Sequence, residues 1–285
     1  MINKLTLIGV GLIGGSFALA LREAGLVREV VGVGRSVENL SAALGMYVID
    51  AYAEAALAVQ GADVVLLAVP VGQMGSMMTA IAPHLAPNTI VTDVGSTKQD
   101  VVALARANLT KHLAQFVPGH PIAGAEQSGV KAARGDLFRE RNVVLTPLPE
   151  TNPAAKELIA QLWQRCGAKV SEMAPAQHDE VFAAVSHLPH LLAFGLVDYI
   201  AGQPNAEQLF GFAASGFRDF TRIAGSSPEM WSDICIANRD ALLQQLSGYE
   251  AELARMKQLI ERGDGAALAQ LFSAARDARQ KHLKH

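Results

Sequence analysis

Disulfide chemistry has almost no material in this chain of 285 residues, which holds only two cysteines, Cys166 and Cys235. They lie far apart and match neither a disulfide framework nor a zinc-binding spacing, so a reducing compartment, the cytoplasm, is expected and a metal site is not. Charge of one sign is lacking too. With 24 Lys and Arg against 27 Asp and Glu, a net charge of -3, the chain carries no field suited to nucleic acid or an anionic membrane surface. Charged residues are only 18% and hydrophobic residues 50%, which excludes a disordered chain, and no internal repeat or low-complexity tract is present. A long unbroken apolar run is also missing near the N-terminus. The stretch from Leu5 to Leu21 contains Gly9, Gly11, Gly14 and Gly15 and runs into Arg22 and Glu23, whereas a membrane span needs about 20 predominantly apolar residues. Lys4 before that run and the small residues Ala18 and Ala20 imitate a leader peptide, but the glycines have a more specific meaning.

What is present reads first as alternating strands and helices. Apolar runs at Leu5 to Ile8, Val30 to Val33, Asp63 to Val69, Ile90 to Asp93, Gln115 to Val117 and Asn142 to Leu145 are separated by alanine-rich helical stretches, with a weak strand near Val48. Continuous apolar strands imply burial on both faces, hence a parallel sheet wrapped by helices in an α/β fold. A helix from Pro153 to Cys166 and a last strand, Lys169 to Met173, complete this part. From about Pro175 the strand-like runs stop, and helices are expected over Ala176 to Ile200, Ala206 to Phe212, Pro228 to Arg262 and Ala266 to His282. The expected division is a Rossmann-type dinucleotide-binding domain, residues 1–173, followed by an all-α domain, residues 174–285.

Gly9-Val10-Gly11-Leu12-Ile13-Gly14 is a G-x-G-x-x-G sequence lying directly after a strand and opening a helix. Its first glycine permits a tight turn, its second admits a pyrophosphate, and its third lets helix pack on strand, so the cofactor-binding candidates here are Gly9, Gly11, Leu12, Ile13 and Gly14. The acidic residue that accepts hydrogen bonds from the ribose of NAD is lacking at the end of the second strand, which reads Gly34-Arg35-Ser36. Arg35 pairing with a 2′-phosphate, with Ser36 donating to it, favours NADP; a solvated Arg35 and use of either cofactor is the other reading. Val69 and Pro70, at the end of another strand, lie where a dinucleotide passes.

Function in such sheets gathers in loops beyond the carboxyl ends of the strands. Asp93-Val94-Gly95-Ser96-Thr97-Lys98 is one such loop, and Pro118-Gly119-His120-Pro121 sets an imidazole directly after a strand. His120 is the best placed of the eight histidines for proton transfer, against an ordinary structural role. In the helical part, Ser186-His187-Leu188-Pro189-His190 brings two histidines three residues apart, and Phe217 to Ala224 carries Arg218 and Arg222 in a partly apolar setting suited to a carboxylate or to a surface ion pair.

Together these residues resemble the prephenate and arogenate dehydrogenases of tyrosine biosynthesis. The resemblance runs from Gly9 to about Asn238 and rests on Gly9 to Gly15, Asp93 to Lys98, Gly119 to Gly124 with Glu126 and Ser128-Gly129, Leu137-Phe138 with Leu145-Thr146-Pro147, Ser186 to His190, and Phe217 to Ala224 with Trp231. It implies oxidative decarboxylation of prephenate or arogenate, with hydride passing to NADP or NAD. His120 is then the catalytic base and Ser96 orients the reacting hydroxyl. Arg222, His190, Ser186 and Trp231 contact substrate, and Glu126 holds Arg222. The resemblance further implies a homodimer through the helical domains, with Trp231 near the neighbouring subunit's site. Other Rossmann reductases with a helical domain, or a non-catalytic NADP-binding redox sensor, share the glycine loop but have no use for Ser96, His120 and Arg222 together.

Overall fold

The computed structural model describes residues 1–125 and 127–283, and the chain divides into two compact units, Met1–Arg239 and Asp240–His285. The first unit begins with β1 (Ile2–Ile8), α1 (Leu12–Glu23), β2 (Val27–Val33), α2 (Val37–Gly45), β3 (Ala51–Tyr52), α3 (Ala55–Ala58), β4 (Val64–Leu67), α4 (Val71–Ile81), β5 (Ile90–Asp93), α5 (Gln99–Asn108) and β6 (Phe116–Val117). These six strands form one parallel sheet in the order β3-β2-β1-β4-β5-β6, reversing direction of growth between β1 and β4. That reversal opens a crevice at the carboxyl ends of the strands.

Both faces of the sheet are buried, which is why the strands are continuously apolar. Along β4, Val64 and Leu66 point into a core with Phe17 and Leu21 of α1, while Val65 and Leu67 point the other way into a core with Met74 and Met78 of α4 and Val101 of α5. The stretch from Leu5 to Leu21 is thus strand, turn and helix within a domain core.

Asn142 to Leu145 and Lys169 to Met173 do not extend this sheet, contrary to the expectation of one sheet throughout. β7 (Gly119–Pro121), β8 (Asn142–Leu145) and β9 (Lys169–Glu172) make a second sheet in the order β7-β8-β9, antiparallel then parallel. The chain leaves the first sheet at Pro118, and Gly119 crosses so close that a Cβ there would lie 3.2 Å from the Asp93 carbonyl oxygen. Between β8 and β9 runs α6 (Pro153–Arg165), whose fully buried Trp163 packs on Phe17 and Phe138 with ring centroids 4.4 and 4.9 Å away.

The helical portion of the first unit contains α7 (Pro175–Phe182), α8 (Leu188–Ala201), α9 (Ala206–Gly211), α10 (Ser215–Thr221) and α11 (Pro228–Ala237). The helix expected over Ala176 to Ile200 is present from Pro175 to Ala201 and contains a π-helical turn, Ala183–His187, directly before Pro189, a residue without an N–H to give to the preceding turn. The helix expected from Pro228 to Arg262 breaks at Asn238. The second unit consists of α12 (Arg239–Glu261), which opens at the boundary, and α13 (Gly265–His282).

Candidate active site

The glycine turn after β1 has the conformation its sequence requires. Gly9 sits at φ +100°, and a Cβ there would lie 2.3 Å from the Ala68 carbonyl oxygen. One at Gly14 would meet the Gly9 oxygen at 2.5 Å. Gly11 is different: a Cβ there would enter open space. It is the N-cap of α1 and supplies no side-chain cap, so the first-turn amides of Leu12, Ile13 and Gly14 have no intrahelical acceptor. An open space over free amides at a helix start fits a dinucleotide diphosphate.

Arg35 and Ser36 are exposed at the end of β2, and the Ser36 hydroxyl caps α2 by accepting from Asn39 N at 3.2 Å, which leaves its own proton to donate outward. Asn39, not foreseen from the sequence, donates from Nδ2 to the Val10 carbonyl at 2.6 Å and accepts from Val130 N at 3.2 Å, bracing the glycine turn. Val69 leads into Pro70, which is the N-cap of α4.

At the end of β5 a buried charge pair organises the loop that follows, residues 93–98. Asp93 and Lys98, both without exposed side-chain surface, form a salt bridge. Asp93 also accepts from Gly95 N at 2.7 Å through Oδ2 and from Gly119 N at 3.2 Å through Oδ1. One carboxylate therefore ties the loop carrying half-buried Ser96 to the start of β7, the strand of His120.

His120 belongs to a relay that sequence reasoning missed. Asp179 accepts from Lys98 N and Gln99 N, each at 2.8 Å, and so caps α5 from another helix. It is also 2.8 Å from His178 Nδ1, and His178 Nε2 is 2.9 Å from His120 Nδ1. The proton positions follow from what each atom can do. A carboxylate only accepts, so His178 donates from Nδ1 and accepts at Nε2. His120 must then donate from Nδ1, leaving the lone pair on its own Nε2. Burial raises the pKa of Asp179, but the hydrogen bonds from His178, Gln99 and Lys98 outweigh it and hold the carboxyl below its ordinary value. His120 lies well below the usual imidazole value, through burial first and then the charges at His178, Lys98 and His187. It is a neutral base.

The carboxylate-binding candidates gather on α8, the turn after α10, and α11. His190 stacks on Trp231 with ring centroids 3.6 Å apart and planes at 18°, and donates from Nδ1 to the Ser186 carbonyl at 2.9 Å. Its pKa is lowered by burial and by the charge of Arg222, which places that guanidinium in the same neighbourhood. Trp231 is thus packed within its own chain, in the described structure. Arg218 instead turns its Nε to the Ala213 carbonyl at 3.2 Å. Glu126 lies outside the described residues.

Family models agree with this layout. "Prephenate dehydrogenase, nucleotide-binding domain" matches residues 17–172, and "Prephenate dehydrogenase, dimerization domain" matches residues 174–274. The chain belongs to the prephenate dehydrogenase family. Members include the prephenate dehydrogenase of Bacillus subtilis (strain 168), 39% identical over 98% of this chain and 76% of its own length. The cyclohexadienyl dehydrogenase of Zymomonas mobilis is 36% identical over 97% of this chain and 95% of its own. Among solved family structures, that of prephenate dehydrogenase from A. aeolicus in complex with hydroxyphenyl propionate and NAD+ superposes with a TM-score of 0.93 at 34% identity, covering 99% of this chain and 98% of that one. The Synechocystis arogenate dehydrogenase gives 0.81 at 30%, covering 98% and 99%. The expected family and the expected α/β architecture with a helical C-terminal part both stand, and the N-terminal domain of the family binds a nicotinamide dinucleotide.

Proposed function

We propose that this protein catalyses oxidative decarboxylation of prephenate, with arogenate as the second substrate to test, as the dehydrogenase of tyrosine biosynthesis. The observation that carries this reading is the Asp179–His178–His120 relay, which leaves His120 neutral with a free Nε2 lone pair. A bound nicotinamide dinucleotide supplies the hydride acceptor. His120 Nε2 accepts the proton of the ring C4 hydroxyl as C4 loses hydride and becomes carbonyl-like, while the C1 carboxylate departs as CO₂ and the ring becomes aromatic. His178 is placed to take the Nδ1 proton of His120 as positive charge builds on that ring, with the Asp179 carboxylate behind it; a positioned base of this kind is worth about 10²- to 10⁴-fold.

Ser96 orients the hydroxyl and the imidazole. The substrate's two carboxylates call for a cation, and Arg222 is assigned that role with His190, Ser186 and Trp231 around it; Glu126 is assigned to hold Arg222. The turned-away guanidinium of Arg218 favours Arg222 over it. Gly9, Gly11, Leu12, Ile13, Gly14, Val69 and Pro70 are assigned to the dinucleotide, and exposed Arg35 with the free proton of Ser36 supports NADP over NAD. A functional boundary between residues 173 and 174 is supported by the family-model matches to residues 17–172 and 174–274. A homodimer is supported by the family's name for the second domain and by the apolar helical stretch Pro175–Ala201. That stretch is long and apolar enough to cross a membrane by length and composition, yet only 22% of its most apolar window is buried within one chain. Val185 and Tyr199 on it are 67% and 65% exposed, surface that a second subunit would cover. A cytoplasmic location accords with the free thiols of Cys166 and Cys235.

The test is reduction of NADP and of NAD at 340 nm on adding prephenate or arogenate. Turnover with prephenate, faster with NADP, is expected. No reduction in any combination, despite cofactor binding, overturns the proposal in favour of a redox sensor.

A further inference from the structure

Asn39 lies in the first turn of α2, three residues after the Ser36 hydroxyl that caps it, and takes no part in the reaction assigned to His120. Its side chain spans two other segments. Nδ2 lies 2.6 Å from the Val10 carbonyl oxygen in the glycine turn, and Oδ1 lies 3.2 Å from Val130 N. A carbonyl accepts only and a backbone N–H donates only, so the two contacts together fix which way round the amide stands. The Val130 end is itself held firmly. Val130 is 1% exposed, the Arg134 amide donates to Ser16 Oγ at 3.0 Å, and a Cβ on Gly15 would lie 2.9 Å from that of Ala133, so residues 130–134 are seated closely on α1. Asn39 is a strut fixed at both ends.

Val10 is joined to Gly11 by a trans peptide, whose C=O and N–H point in opposite directions in one plane, so a donor that holds the Val10 oxygen also directs the Gly11 N–H. That N–H points away from Asn39. Gly11 is the N-cap of α1 at φ -114° and ψ -158°, and a Cβ there would enter open space, so no side chain of its own keeps this peptide from turning over. We propose that Asn39 is a positioning residue of the dinucleotide site: by holding the Val10 carbonyl it fixes the Val10–Gly11 peptide and presents the Gly11 N–H to the cofactor diphosphate. This rests on the glycine turn holding that diphosphate. Arg35 and Ser36 are assigned to the 2′-phosphate that only NADP carries, whereas the diphosphate is common to NAD and NADP, so the effect of Asn39 falls equally on both.

Asn39→Leu and Asn39→Ala both remove the donor without adding charge, the first keeping most of the volume and the second avoiding any steric conflict. Calorimetric titration of the full chain with NAD and with NADP is expected to show each Kd raised about tenfold, as for the loss of one well-directed hydrogen bond to a charged group, with the ratio of the two Kd values unchanged. Turnover of prephenate divides in the same way: a raised KM for cofactor, and a kcat at saturating cofactor close to that of the unaltered protein. A Kd unchanged for both cofactors, even with a lowered melting temperature, would reduce Asn39 to a structural strut and overturn the proposal. Weakening confined to NADP would overturn it too, by placing the effect at Arg35 and Ser36. Gly11→Val separates this failure from failure of the site itself. If that variant weakens binding and the Asn39 variants do not, the diphosphate lies at the turn and only the role of Asn39 falls; if Gly11→Val binds normally, the site falls and the proposal with it.

Discussion

At the scale of single residues, the site is an exercise in fixing protons by hydrogen bonding. Asp179 serves two ends at once, as an acceptor for the first amides of α5 and as the anchor for His178. Its depressed pKa keeps it ionised at every pH where the enzyme would work. His120, by contrast, is depressed below the imidazole value of 6.5. The sign is clear: the neutral base is present above that lowered value and is lost only as pH falls through it. kcat for prephenate is therefore expected to stay level from pH 8 down to 6.5. Asp179→Asn removes the charge that orients His178, and by analogy with other imidazoles deprived of their carboxylate, kcat should fall by roughly 10²- to 10⁴-fold with the substrate KM little altered. Steady-state kinetics across that pH range checks both, and an acid limb above pH 6.5 in the unaltered protein, or a normal kcat in the variant, would contradict the relay.

At the scale of elements, the glycine turn separates folding from binding. Gly9→Ala forces a Cβ to within 2.3 Å of a backbone oxygen at φ +100°, so it should lower the melting temperature as well as cofactor affinity. Gly11→Val adds its side chain to open space and should leave the melting temperature nearly unchanged while weakening cofactor binding by roughly tenfold or more, the loss of about 1.4 kcal/mol. Calorimetry with and without NADP distinguishes the two; a Gly11 variant that binds normally would show that the diphosphate lies elsewhere. This turn was legible in the sequence because its chemistry is local: strand, glycines and helix start follow one another. The order of strands was legible as alternation, but their membership of two sheets was not, because an apolar run such as Asn142 to Leu145 looks the same in either. The switch depends on Pro118 and on the close crossing of Gly119 over Asp93, seen only in space. The π-helical turn was hidden for a like reason, since Ala183 to His187 suits an ordinary helix equally well. His178-Asp179 was the signal left unread: two adjacent polar residues that end up fully buried near a helix start.

At the scale of the whole molecule, the near-neutral charge noted in the sequence acquires a structural counterpart. The buried charges of Asp93 and Lys98 neutralise each other, and the cations assigned to ligands are two placed groups, Arg35 and Arg222, rather than a general field. Breaking a buried pair of that kind typically costs about 3 to 5 kcal/mol, so the loop after β5 is firmly held where it meets the start of β7. The assignment of His120 as the base of a dehydrogenase built on this frame is best tested by His120→Asn, with cofactor affinity measured by calorimetry alongside turnover of prephenate at 340 nm. The expected result is a kcat lower by about 10²- to 10⁴-fold with an unchanged Kd for the dinucleotide; turnover close to that of the unaltered protein would contradict this role for His120.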